Sequence, residues 1–160
     1  MTNPPTGGSA LHFAATVSAE MRPVVEALFF FNPRQSLLIE NIRAAVEAKG
    51  TPVIKERAGQ LWIDLPSDSL QCLFVCDSRA VPVGVMLYGR PSSEVLEIAH
   101  LAVDPAHASG QGGQPSVGLL LVEKAQAIAR SIKGISKIQL PYQRARFLPV
   151  RAPSPGERTE

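Results

Sequence analysis

The chain of 160 residues carries 16 Lys+Arg against 14 Asp+Glu, is 45% hydrophobic, and contains 14 Pro and 12 Gly. That length and apolar fraction suit one domain with its own core and exclude wholesale disorder. Residues 144–160 hold four Arg and two Glu, which accounts for the whole net charge of +2 and leaves the body balanced; a dedicated nucleic-acid domain is not expected. The apolar run Ala27–Phe31 is far short of the ~18–20 residues that span a bilayer. No basic segment leading into a long apolar stretch opens the chain, so a cytoplasmic protein away from membranes is expected. Residues 1–9 and 149–160, rich in Pro and Gly, read as tails around a domain of residues 10–148.

Leu11–Val17 reads as a first strand. Ser18 offers a helix N-cap, Pro23 fits a first turn, and Val24, Val25, Leu28 and Phe29 follow at helical spacing. Asn32-Pro33 ends that helix and begins a second one, as cap and first helical residue. Leu37, Leu38, Ile42, Ala45 and Val46 form the second stripe, and Gly50-Thr51-Pro52 stops it. The period then changes to two. Leu61–Leu65, Leu70–Cys76, Val81–Tyr88 and Val95–Val103 are strands separated by turn signals, and their short links favour antiparallel neighbours. Cys72 and Cys76 share a strand face about 13 Å apart, beyond disulfide reach, and read as reduced core residues.

A loop, Asp104–Pro115, is dense in Gly, Ala, Ser and Gln. Ser116 then caps a helix with the stripe Val117, Leu120, Leu121, Ala125, Ile128 and Ile132. Gly134 closes it, and Ile135–Leu140 is a further strand, parallel to Val95–Val103 because a helix crosses between them. The expected fold is α+β, a mixed and mainly antiparallel sheet flanked by helices in the order β-α-α-β-β-β-β-α-β. A strand, a glycine-rich turn and a capped helix start form a general anion-binding device. No Gly-Lys-Ser/Thr makes it a Walker loop, and its late position after antiparallel strands does not suit a dinucleotide fingerprint. His12 and His107 have no metal-ligand spacing, so no metal is expected.

The segment Leu101-Ala102-Val103-Asp104-Pro105, the glycine turn, and Val117-Gly118 followed by Leu120-Leu121 resemble the central motif of the GNAT superfamily of acyl-CoA-dependent N-acyltransferases. The preceding order of strand, two helices and antiparallel strands resembles it too, over about residues 10–140. The chain departs from the family where an Arg or Gln is usual five residues before the last glycine of the turn; here that residue is Gly113. It is also short after Leu140, where the family has a further helix and two strands.

The resemblance implies an N-acetyltransferase using acetyl-CoA, without a metal, on an amine of a small molecule or protein. Acetyl-CoA would lie between strands 95–103 and 135–140. Its pantetheine arm would pair with the backbone of Leu101, Ala102 and Val103, and its pyrophosphate would meet the N–H groups of Gly110, Gln111, Gly112, Gly113, Ser116, Val117 and Gly118. Glu97, six residues before Val103, holds the place of the family's general base, needed because an amine at neutral pH is mostly protonated. On a regular strand His100 would face the opposite side from Glu97; it reads first as a partly buried histidine and second as an alternative base. Tyr142 stands near where the family places an acid for the departing thiolate. Trp62, Phe29, Phe30 and Phe31 read as core or acceptor-pocket walls.

Two alternatives stand beside the enzyme: a non-catalytic acyl-CoA-binding module that regulates a protein partner, and a structural or dimerisation domain without cofactor. A homodimer is expected on separate grounds. A sheet ending near Leu140 leaves an unpaired edge, which Arg146–Arg151 of a second copy would cover; the competing expectation is that the chain's own tail folds back over it.

Overall fold

The computed structural model describes residues 10–32, 39–66, 70–109, 116–141 and 147–152. The chain runs β1 (His12–Ala14), β2 (Val17–Ser18), α1 (Arg22–Phe29), α2 (Ile39–Lys49), β3 (Val53–Arg57), β4 (Gln60–Asp64), β5 (Gln71–Cys76) and β6 (Pro82–Ser92). It continues with β7 (Val95–Val103), α3 (Val117–Ser131), β8 (Lys137–Gln139) and β9 (Phe147–Pro149), with single 3-10 turns at Ala19–Met21 and Pro105–His107. Six strands form one sheet in the order β1-β5-β6-β7-β8-β9, and β2-β4-β3 form a second, smaller sheet. Among the described strands only β7 and β8 pair in parallel; the other neighbours are antiparallel. The fold is α+β with a mainly antiparallel sheet flanked by helices.

Three elements differ from the sequence expectation. The single first strand is broken at residues 15–16, so β1 joins the large sheet and β2 the small one. Val53–Arg57 is a strand that alternation did not reveal, because β3 is largely exposed. It is turned into β4 by Ala58 (φ 51°) and Gly59 (φ 75°), two left-handed residues between the paired Arg57 and Gln60. That is the two-residue hairpin turn whose twist matches its strands, here with Ala where Asn or Asp is usual. The third is β9. It pairs antiparallel with β8 of the same chain, so the edge on which the homodimer expectation rested is covered from within.

β9 and the residues just after it are held against the core. Leu148 and Val150 pack on the core. The buried Gln126 of α3 clasps the chain on both sides of Val150: its Nε2 donates to the Pro149 carbonyl (3.1 Å), and its Oε1 accepts from the Arg151 N–H (3.0 Å).

The large sheet has a core on each face. On one, α1 sets Val25, Leu28 and Phe29 against Phe74, Val85, Leu87 and Ala102, with Leu61 and Ile63 of the small sheet. On the other, α3 sets Val117, Leu121, Ala125 and Ala129 against Met86, Leu96, Ile98 and Ile138. Cys72 and Cys76 are free thiols; burial pushes Cys72 up to about 12 and raises Cys76 as well, leaving both protonated and poorly nucleophilic at neutral pH. Helix α3 seats closely on the sheet at Gly84 of β6, where a Cβ would stand 2.4 Å from Val117 Cγ1. Unlike α1 and α3, α2 buries no residue fully. Its inward side borders a cavity.

Candidate functional site

The cavity opens where two parallel strands stop pairing. The β7–β8 ladder consists of Val95↔Lys137, Leu96↔Ile138 and Glu97↔Gln139. Beyond it Pro141 has no N–H to continue a ladder. On β7 the pairing with β6 shifts between Leu87↔His100 and Tyr88↔Ile98, which leaves Ala99 as an extra, bulged residue. A bulge bends its strand and sharpens the twist. The result is a cleft of about 720 Å³ lined by Glu97, Ile98 and Ala99 of β7, Gln139–Pro141, and Asn41, Ala44, Ala45, Ala48 and Lys49 of α2.

The bulge also changes which side chains share a face. Leu96 and Ile98 point toward α3, and past Ala99 the residues packed on that side are Leu101 and Val103. Glu97 and His100 therefore both lie on the α1/α2 face, contrary to the regular-strand expectation. Glu97 is ion-paired to Lys49, the last residue of α2, with only 12% of the Glu and 24% of the Lys side chain exposed. His100 is 2% exposed and meets the Phe29 ring edge-on, centroids 5.7 Å apart. Burial, with the charge of Lys49 adding to it, pushes its imidazole down to about 4. Such a histidine is neutral at pH 7 and a weak acceptor for an ammonium proton. Of the two base candidates, Glu97 is the one in the cleft lining.

Leu101, Ala102 and Val103 continue β7 beyond the last β8 pair. The Asp104 N–H donates across to the Val83 carbonyl of β6. By the alternation of an antiparallel ladder, Val103 turns its own polar groups to the other edge. There its carbonyl accepts a 2.7 Å bond from Asn32 Nδ2, which also donates to the Leu28 carbonyl at 3.0 Å. Asn32 thus ties the end of α1 to the strand edge expected to hold a pantetheine arm. The helix-cap role expected of it involves residues 33–38, outside the described residues.

At the far end of β7, Ser116 caps α3 as expected, its Oγ accepting from the Leu119 N–H at 3.2 Å. Val117 is buried against Gly84, and a Cβ at Gly118 would lie 3.8 Å from Val103 Cγ2, an ordinary contact. The start of α3 therefore sits beside the end of β7. Gly110, Gln111, Gly112, Gly113 and Tyr142 lie outside the described residues. Of the remaining candidates, the structure brings Ser116, Val117 and Gly118 to the Leu101–Val103 end of β7 and sets Glu97 apart, in the cleft.

The contacts of two residues in this region went unnoticed in the sequence. Lys49 had a signal: it continues the stripe Ile42, Ala45, Val46 by one more turn, and a cation on an apolar stripe marks a partner across it. Asn32 had none, since its contact joins residues 71 apart in the chain. Among the described residues no group of three or more His, Cys, Asp or Glu is placed to hold a metal ion, and no helix is long and apolar enough to cross a membrane. In comparisons with known proteins, no family model and no curated protein matches the chain.

Proposed function

We propose that the protein is a GNAT-like N-acyltransferase that moves an acetyl group from acetyl-CoA to an amine. The observation that carries this reading is the cleft between β7 and β8, with a shielded carboxylate, Glu97, where the two strands part. Three features support it. The larger sheet runs antiparallel from β1 through β5, β6 and β7 and then turns parallel at β8 after the crossing helix α3, a mixed, mainly antiparallel arrangement compatible with such an enzyme. Among the described residues, no strand lies beside the polar edge of β7 near Val103. The N-terminus of α3 adjoins that edge, and Val103 lies six positions along the bulged strand from Glu97, at most about 20 Å, on the scale of an extended pantetheine arm.

In the reaction, Glu97 accepts a proton from the acceptor ammonium. The freed nitrogen lone pair attacks the thioester carbonyl carbon, a C–N bond forms and the C–S bond breaks. The electron pair of that bond leaves on the CoA sulfur, which takes up a proton; Tyr142 is the residue the resemblance assigns to supply it, and the second proton shed by the nitrogen as the amide forms restores the phenol. Lys49 neutralises Glu97 until an acceptor ammonium takes its place. That pairing also favours a second reading, a non-catalytic acyl-CoA-binding module acting on a protein partner, because Lys49 occupies the carboxylate that an acceptor ammonium would need.

Isothermal titration with acetyl-CoA, followed by thiol-release assays with a panel of amines, tests both. Binding with turnover is the expected result. Binding without turnover on any amine class selects the regulatory module, and no binding at millimolar acetyl-CoA overturns both readings.

A further inference from the structure

We propose that the cleft takes a zwitterionic α-amino acid with an apolar side chain, its ammonium on Glu97 and its carboxylate on Lys49; the cleft's role as an acceptor site rests on the acyltransferase reading above. Among the described lining residues, Glu97 and Lys49 are the only charged ones. They touch one another, and both are largely withdrawn from water. The described lining thus presents one anion and one cation side by side.

That arrangement discriminates among amines. A simple alkylamine that reached Glu97 would set two cations against one carboxylate in a poorly hydrated site, where like charges are costly. A carboxylic acid would do the reverse at Lys49. An α-amino acid carries both charges on groups attached to one carbon, and insertion between the pair replaces one ion pair with two. Lys49 can withdraw to make room because its four-carbon stem is flexible and anchored at the last residue of α2. The lining around the pair includes the apolar Ala44, Ala45, Ala48 and Leu140 and suits a hydrocarbon side chain. The volume falls within the ~300–1,000 Å³ usual for small-molecule sites.

The same pairing accounts for product release. Acylation turns the bound ammonium into a neutral amide after its proton has gone to Glu97. Once Glu97 loses that proton to solvent, it has no cation in the product and draws Lys49 back, so the product is held less well than the substrate.

The test is binding of unlabelled ligands to the full chain, read by titration calorimetry and thermal shift without acetyl-CoA. Leucine, methionine, valine and phenylalanine are compared with analogues lacking one charge: for leucine, 3-methylbutylamine, leucinamide and 4-methylpentanoate. At least one amino acid is expected to bind, with its single-charge analogues about tenfold or more weaker. Lys49→Met should erase the preference for leucine over 3-methylbutylamine, and Glu97→Gln the preference over 4-methylpentanoate. Equal or tighter binding of the amine to the unaltered protein, or no amino acid binding at millimolar concentration, overturns the proposal. Acetyl-CoA titrated in parallel separates the two ideas. If acetyl-CoA binds and amino acids do not, the zwitterion site fails alone. If amino acids bind and acetyl-CoA does not, the acyltransferase reading fails and the binding site stands.

Discussion

Replacing Gly84 with alanine adds one methyl group where α3 packs closely on the sheet. An ideal Cβ there would lie 2.4 Å from Val117 Cγ1 and 3.4 Å from Leu121 Cδ1. Carbon atoms in contact rest at about 3.5–4.0 Å, so the overlap with Val117 exceeds about 1 Å. Val117 is 2% exposed and β-branched in a helix, which leaves it essentially one rotamer. It cannot swing aside, so the first turn of α3 must lift. Overpacking of this kind costs about 1–3 kcal/mol. Val117→Ala alone removes two methyls from the same contact and should cost about 2 kcal/mol. In the double variant the new methyl fills the space that Cγ1 vacates, so the combined loss should fall short of the sum by at least about 1 kcal/mol. Urea unfolding followed by circular dichroism measures all four proteins. A Gly84→Ala protein within about 0.5 kcal/mol of the parent, or strict additivity in the double variant, would refute the steric account of how α3 is seated.

Glu97→Gln should lower turnover by about 10²–10⁴-fold while leaving acetyl-CoA affinity nearly unchanged, since a general base acts in the transition state; full activity in steady-state assays removes Glu97 from the mechanism. The buried His100 should make stability depend on acidity. Its folded pKa of about 4 lies below the ordinary 6.5, so the unfolded chain binds more protons between these values. Its contribution is therefore complete above pH 6.5 and is lost as pH falls toward 4, by about 3 kcal/mol. Urea midpoints across that window check this, and His100→Gln should flatten the slope. Asn32→Ala should cost about 1–3 kcal/mol by leaving the Val103 carbonyl without its 2.7 Å donor; an unchanged urea midpoint would show that water replaces the side chain. Gln126→Leu removes both hydrogen bonds that hold Pro149 and Arg151, and faster proteolysis within residues 147–152, read by mass spectrometry, is the expected result.

Much of the fold comes from patterns that a chain displays locally. Ser116 and the stripe from Val117 onward announce α3, because a cap and a 3.6-residue period act within a few residues. β5, β6 and β7 are legible from alternation and turn residues, and their antiparallel order from their short links. The parallel β8 is implied by the helix between it and β7. Exposed β3 is silent, since a strand with little buried surface needs no apolar period. Glu97 is legible as a residue of β7, and only the resemblance singles it out as a base. The partners of that carboxylate are decided in three dimensions. The bulge at Ala99 reverses the alternation of β7 and puts His100 on the Glu97 face, Lys49 arrives from a helix 48 residues earlier, and Asn32 closes on the strand edge at Val103. Nor does the local pattern decide between a neighbour's strand and the chain's own for the edge of β8, which β9 fills. Periodicity and capping report how a segment meets an apolar interior; ion pairs, bulges and edge partners depend on which distant segments are brought together, and packing alone settles that.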